Sequence, residues 1–447
     1  MSGRDVPERP NIILINCDDL GYGDIGCYGS ELHTTPAVDR LAEEGMRFTD
    51  FYMAAPMCSP SRAAMMTGCY PQRIGLETGC EICVLRPGEP NGLSQNEVTV
   101  AELLEQAGYA TEIIGKWHLG DQPEFLPTRH GFGAWYGLPY SNDMGRTARN
   151  PHFPPLPLMR DEDVMQEQPD QSALTERYVE EAVRFIRDHR ESPFFLYLAH
   201  MYVHVPLYAP DRFMKQSRNG KYGAAVEHVD WSVAVLLDEL ARLDIEGNTL
   251  VIFTSDNGGA TQHGASNAPL RGRKGQTWEG GIRVPCVMRW PNAIPAGTEC
   301  EELATAMDFL PTFARLAGVG VPTDRLIDGK DMGPLMQGGA EKSGYDAFFY
   351  YREMELQAVR SGDWKLHLQS GELYNLREDV GESRDRAAAE PGIVATLEAH
   401  GARVGEDLGD SLTGEEGANR RPCGRVENPK PLTVYRDDHP YIVALYD

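Results

Sequence analysis

Four short apolar runs in this chain stop abruptly on polar residues, and that repeated plan limits the fold more than any other feature. They lie at residues 11–15 within NIILINCDDLGYGDIGCYG, 110–115, 194–199 and 249–255. Runs this continuous belong to strands buried on both faces. Helical patterns at 100–106, 173–187 and 222–243 precede the last three runs, so helices alternate with covered strands. The expected fold is α/β, with a central, mostly parallel sheet flanked by helices.

Ligands in such sheets collect beyond the carboxyl ends of the strands. The polar residues stand there. Asp18 and Asp19 follow the first run, Lys116 and His118 the second, His200 and His204 the third, and Asp256 and Asn257 the fourth. Asp18 and Asp19 alone would more often cap a helix or order a glycine turn. Joined by Asp256 and Asn257 they form an oxygen-only donor set suited to a hard cation such as Ca²⁺ or Mg²⁺. Lys116 and Lys274 taken singly are solvated lysines, and His118 or His204 taken singly are core histidines. Together with Arg62 they would make a compact cationic pocket for a small tetrahedral oxyanion. Lys274 lies in GRKGQTWEGGIRVP, where Gly272, Gly275, Gly280 and Gly281 permit close backbone approach.

Charge sharpens this reading. The net charge is -25 over 447 residues, so the bulk field repels nucleic acid and anions alike. An anionic substrate therefore needs locally concentrated cations, and no nucleic-acid partner is expected. The nine cysteines are odd in number and thinly spread, unlike a secreted disulfide framework. With polar opening residues, MSGRDVPERP, and no apolar run of membrane-spanning length, the expectation is a cytoplasmic protein without membrane association.

The stretch AAPMCSPSRAAMMTG places Cys58 between two prolines and four residues before Arg62. A cysteine near a helix start and a cation suggests a depressed thiol pKa and a reactive thiolate. The string Cys58-Ser59-Pro60-Ser61-Arg62, with Thr67 and Gly68 downstream, resembles the signature of the type I, formylglycine-dependent sulfatases. NIILINCDDLGYGD, GKWHLG, SDNGG and GRKGQTWEGGIRVP resemble the other blocks of that family in the same order, across residues 10–375. LPYSND and HMYVHVP bring the likeness nearest to the arylsulfatase A type.

The resemblance implies that Cys58 is oxidised to formylglycine by a formylglycine-generating enzyme acting on the extended chain. Pro60 would keep that stretch out of a helix, which could then start near Ser61. It further implies an alkaline-phosphatase-like domain, placed at residues 1–335. A smaller domain with an antiparallel sheet and a helix follows at 336–447. Asp18, Asp19, Asp256, Asn257 and modified residue 58 would hold one divalent cation, Ca²⁺ ahead of Mg²⁺ or Mn²⁺. Arg62 and Lys116 would hold the hydrated aldehyde; Lys116, Ser141, Asn142, His204 and Lys274 would contact substrate. A diol oxygen would attack sulfur, with His204 as general acid to the leaving alcohol. His118 would take the second hydroxyl proton from the covalent sulfate intermediate, so that sulfate is eliminated.

The expected substrate is a small-molecule sulfate ester. Phosphonate or phosphate monoester hydrolysis is the alternative, and a silent relative used for binding is a third reading. Asn142 stands where the arylsulfatase A likeness calls for histidine. The stretch from His130 to Asp170 is expected to wall the leaving group. Trp135, Tyr136, Tyr140 and Phe153 are candidates there for aryl contact or packing, and Arg146 and Arg149 for an anionic group. Segments YDAFFYY, LQAVRSG, WKLHLQ and ELYNL read as hairpin strands, with a helix at 393–401. PYIVALYD is apolar enough to dock on this chain or on another copy, so a homo-oligomer is open.

Overall fold

The computed structural model describes residues 9–77, 84–147, 150–339 and 342–441. Its main sheet has ten strands. In spatial order they are Thr298–Cys300, Met46–Phe48, Cys286–Arg289, Thr249–Ser255, Asn11–Cys17, Phe194–Ala199, Ala110–Lys116, Ala134–Leu138, Pro157–Arg160 and Asp163–Glu167. The run from Thr249–Ser255 to Ala134–Leu138 is parallel throughout, and antiparallel pairs extend it on both sides.

Alternate side chains of the first strand feed two cores, because successive residues of a strand face opposite ways. Ile12 and Leu14 join Met65, Met66, Leu104, Phe309 and Phe313 on one face. Ile13 and Ile15 join Val38, Leu41, Tyr178, Phe185 and Leu237 on the other. Helices cover both: Cys58–Thr67, Val100–Gln106 and Phe309–Ala317 on the first, Pro36–Glu43, Leu174–Asp188 and Gly220–Arg242 on the second. Each fully buried aliphatic side chain contributes about 1.5–3 kcal/mol, which is why these runs are mostly apolar.

Register brings those ends level. Cys17 pairs with Ser255, and Asn16 and Gly115 each pair with Ala199. One rim of the sheet therefore carries Asp18, Lys116, His200 and Asp256.

A four-stranded antiparallel meander follows: Phe348–Arg352, Glu355–Ser361, Trp364–His367 and Leu373–Asn375. The helix against it, Pro391–Leu408, is twice the length expected. Gly401 does not stop it, since a Cβ there would lie only 3.3 Å from Leu368; the glycine lets the helix sit close to the sheet.

The stretch after that helix does not stay with the small sheet. Gly424–Arg425 pairs with Asn91–Gly92, and Lys430 N–H donates to Gln122 Oε1 at 2.9 Å. Farther on, the Arg146 guanidinium lies 3.7 Å from the Tyr435 ring centre. Part of the stretch assigned to 336–447 with the small sheet thus packs against elements of residues 1–335. The end of PYIVALYD, Arg149, Cys80 and Cys83 lie outside the described residues. Among the described residues no helix is long and apolar enough to cross a membrane.

Part of the stretch 130–170, expected to wall the leaving group, lies in the main sheet. Ala134–Leu138 is a parallel strand of the main sheet, and Pro157–Arg160 with Asp163–Glu167 forms its edge hairpin. Trp135, Tyr136 and Tyr140 are buried in the cores, leaving half-buried Phe153 as the aromatic nearest solvent.

Candidate active site

Cys58 is the first residue of the helix Cys58–Thr67, with extended Met57 as its N-cap. The helix begins three residues earlier than the proline suggested. Pro60 sits in the first turn, where its missing N–H would find no helical partner in any case. The first intrahelical bond is Ser61 N–H to Met57 C=O, 3.1 Å. Gly68 ends the helix at φ 68°, its N–H donating to Ala64 C=O. Residue 58 consequently sits at the positive end of a buried ten-residue helix that points at the rim.

Around it the rim residues converge. Cys58 Sγ lies 3.4 Å from Asp18 Oδ1 and 3.3 Å from Lys274 Nζ. Lys274 also pairs with Asp19 Oδ1 at 2.6 Å. Arg62 pairs through Nε with Asp256 Oδ2 at 2.8 Å, and through a terminal nitrogen with Asp18 Oδ2 at 2.9 Å. Its other terminal nitrogen donates to Lys116 C=O. Lys116 Nζ closes on Asp18 Oδ2. Asp19 and His118 both hold left-handed backbone, φ 63° and 65°, which non-glycine residues adopt where surroundings impose it.

Burial opposes ionisation throughout this cluster, and mutual pairing decides the outcome. Lys116 and Arg62 hold the Asp18 carboxylate well below its usual range despite that burial. Asp256 goes the other way, raised to about 6 by burial and by Asp18. Burial, then Asp18, pushes the Cys58 thiol far above its ordinary value, although Lys116 and Lys274 pull it down. The reactive thiolate suggested by the sequence is therefore the disfavoured form of an unmodified Cys58.

Single ligand atoms of Asp18, Asp19, Cys58 and His204 lie within 4.8 Å of one another. Asn257 Nδ2 donates to Asp19 Oδ1 at 2.8 Å, while its Oδ1 is buried with no hydrogen-bond partner. An orphaned amide oxygen beside carboxylates fits a hard divalent cation. Of the expected set, Asp256 also gives Oδ2 to Arg62 at 2.8 Å, and His204 Nε2 comes within 3.8 Å of Asp19 Oδ2. Charges in the cluster balance: Asp18, Asp19 and Asp256 against Arg62, Lys116 and Lys274. A dication added to that set would leave net positive charge where the protein as a whole is acidic.

The two candidate proton carriers are fixed differently. His118 Nε2 faces Leu85 C=O at 3.0 Å and must carry the proton, leaving buried Nδ1 as an acceptor without a partner. Burial, then Lys116 and Arg62, push its pKa well below 6.5, so the ring is neutral. His204 turns Nδ1 to Val205 C=O at 2.5 Å, with Ser141 Oγ at 3.5 Å, and presents Nε2 3.8 Å from Asp19 Oδ2.

Two residues are placed elsewhere. His200 is a core group bonded to Ser232 Oγ, its pKa driven to about 3 by burial. Asn142, expected at the substrate, donates its amide to Gln171 Oε1 and Pro206 C=O at 2.9 and 3.1 Å. That ties down the Ser141 loop and leaves no amide donor for an anion. The sequence reading missed the relay behind His118: Ser59 Oγ accepts from Leu85 N–H, and Leu85 C=O fixes the ring. Nothing in a serine and a leucine 26 residues apart signals that pairing.

A family model described as Sulfatase matches residues 10–319, and one described as N-sulphoglucosamine sulphohydrolase, C-terminal, matches residues 273–392. Arylsulfatase A of Bos taurus is 42% identical over 391 residues, covering 82% of this chain and 76% of that protein. Steryl-sulfatase of Rattus norvegicus is 39% identical over 438 residues, covering 81% and 75%. The crystal structure of Ps i-CgsB in complex with k-i-k-neocarrahexaose superposes with TM-score 0.81 at 31% identity, covering 92% of this chain and 97% of that one.

Proposed function

The chain belongs to the sulfatase family and is a hydrolase of sulfate esters, and from this we propose that it works through residue 58 as formylglycine with one bound divalent cation. The observation that carries the proposal is the balanced cluster of Asp18, Asp19, Asp256, Arg62, Lys116 and Lys274 around a cysteine at a helix N-terminus. Asp18, Asp19, Asp256 and the free Oδ1 of Asn257 would hold the cation, with residue 58 completing the set. As formylglycine diol and hard cation, these groups would supply an activated oxygen for attack on sulfur and, afterwards, a route to eliminate sulfate.

The chain's own residues do the rest. Lys274 and Lys116 hold sulfate oxygens and offset charge that grows as the ester bond breaks. Ser141, whose Oγ lies 3.5 Å from His204 Nδ1, donates a further hydrogen bond from a loop that Asn142 keeps in place. His204, at the mouth of the cluster, protonates the departing oxygen. His118 takes a proton on Nδ1, the nitrogen that Leu85 leaves free.

A small sulfated sugar or aryl sulfate is the substrate class most consistent with the relatives, one of which is solved in complex with k-i-k-neocarrahexaose. Purified protein should hydrolyse an aryl sulfate with kcat/KM at least about 10²-fold above that for the matching phosphate and phenylphosphonate. It should carry one hard divalent cation per chain. A preference for phosphate together with two metals per chain would instead favour the phosphomonoesterase reading, which relies on a two-metal clamp.

A further inference from the structure

Behind Lys274 lies a set of charges that the chemistry above does not use. Lys365, Glu279 and Glu382 are each fully buried. Lys365 and Glu382 come from the small domain, and Glu279 from the end of the glycine-rich segment. Lys365 Nζ contacts Glu279 Oε1 at 3.0 Å, Glu382 Oε1 at 2.8 Å and Thr277 C=O at 2.8 Å. Glu382 Oε2 accepts from Glu279 N–H at 2.8 Å, and Glu382 C=O accepts from Arg271 at 2.9 Å. Trp278 fills the space between, with Arg271 3.6 Å above its ring and His367 4.0 Å from it.

Apart from the Lys365–Glu382 pair, which joins the two small-domain charges to each other, these contacts fall on residues 271–279, the backbone that presents Lys274. On the other side the same segment is tied to the large domain, by Lys274 N–H to Gly259 C=O at 3.2 Å and Gly275 N–H to Pro56 C=O at 2.9 Å. Gly281 allows the tight return, since a Cβ there would lie 1.9 Å from Gln276 C=O. Buried charges are a costly way to glue two domains, because an apolar trio of equal volume does so at least as well. What they add is direction. Three hydrogen bonds to fixed atoms of one segment set its position in a way that apolar packing does not.

We propose that Lys365 and Glu382 are positioning residues through which the small domain sets Lys274 over residue 58. The proposal rests on the reading of Lys274 as a sulfate contact. Its test has an arm that needs no turnover. In Lys365→Met, amide hydrogen exchange should quicken by about tenfold or more in the peptide covering residues 271–281, while that covering 249–255 stays protected. The same protein should lose on the order of 10-fold in kcat/KM toward an aryl sulfate, with a double-mutant cycle against Lys274→Ala showing that the two losses do not multiply. Glu382→Gln, nearly the same shape, serves as the second variant should Lys365→Met not fold. Unchanged exchange at 271–281 would overturn the proposal, as would losses that multiply. Absence of sulfate ester turnover in the unaltered protein would count against the functional reading alone, because the exchange arm still decides the clamp.

Discussion

His118 and His204 differ in which ring nitrogen is available, and that difference predicts different failures on replacement. His204 offers Nε2 at the open side of the cluster, where a leaving oxygen would stand. His204→Ala should lose on the order of 10² or more in turnover of alkyl or sugar sulfates, and much less with an activated phenol that departs as an anion. Equal losses across leaving groups would make it a binding or structural residue. His118 is neutral, with Nδ1 as a buried acceptor, and its proposed work comes after the ester bond is broken. His118→Ala should still release about one equivalent of phenol in a rapid burst and then stall. Intact-protein mass would show sulfate retained on residue 58, and a missing adduct would remove the assignment. Residue identity made both histidines candidates. The tautomer came only with the fold, because Leu85 supplies its carbonyl from a distant loop.

At the scale of elements, the strands were legible because burial on both faces leaves an unbroken apolar run, as in residues 11–15 and 249–255. Ala134–Leu138 escaped notice because its glycine and aromatic residues, amid prolines, imitate a loop. Gly137 is needed there, since a Cβ would strike Gly115 C=O at 1.9 Å. The helix starts at Cys58, ahead of the position Pro60 suggests, because the first turn of a helix tolerates proline. Another strand carries a testable cost. Glu112, in Ala110–Lys116, has its pKa raised to about 8 by burial and then by Glu181. A carboxyl with a raised folded pKa gives stability that is complete below its unfolded pKa and lost as pH rises towards 8. The protein should therefore lose up to about 1.4 kcal/mol per pH unit across that window from this group. Glu112→Gln should flatten the loss, read as urea midpoints at pH 5 and pH 8.5. Parallel midpoints in the two proteins would contradict it.

For the whole molecule, acidity and anion chemistry are reconciled by geometry: a protein of net charge -25 keeps three cations inside one rim, each paired with a carboxylate. The composition announced the problem, and the resemblance of scattered blocks named the residues that solve it. No local pattern showed that the last described stretch would return to brace the large domain. Thr433 hydroxyl meets Pro155 C=O there, and Tyr435 lies under Arg146, on the stretch that leads from the Ser141 loop to the edge hairpin. Deleting residues 428–447 should raise KM for bulky sugar sulfates several-fold while changing that for a small aryl sulfate little; equal effects on both would show the strap to be general support. The central claim, that residue 58 acts as formylglycine, has a more direct test. Protein made with and without a formylglycine-generating enzyme should be digested, the peptide spanning Met57 to Arg62 weighed and its hydrazide reactivity measured, and activity set against the aldehyde fraction. Activity proportional to aldehyde, falling to background in all-thiol protein, is the predicted result; full activity in protein whose residue 58 is entirely thiol would contradict it.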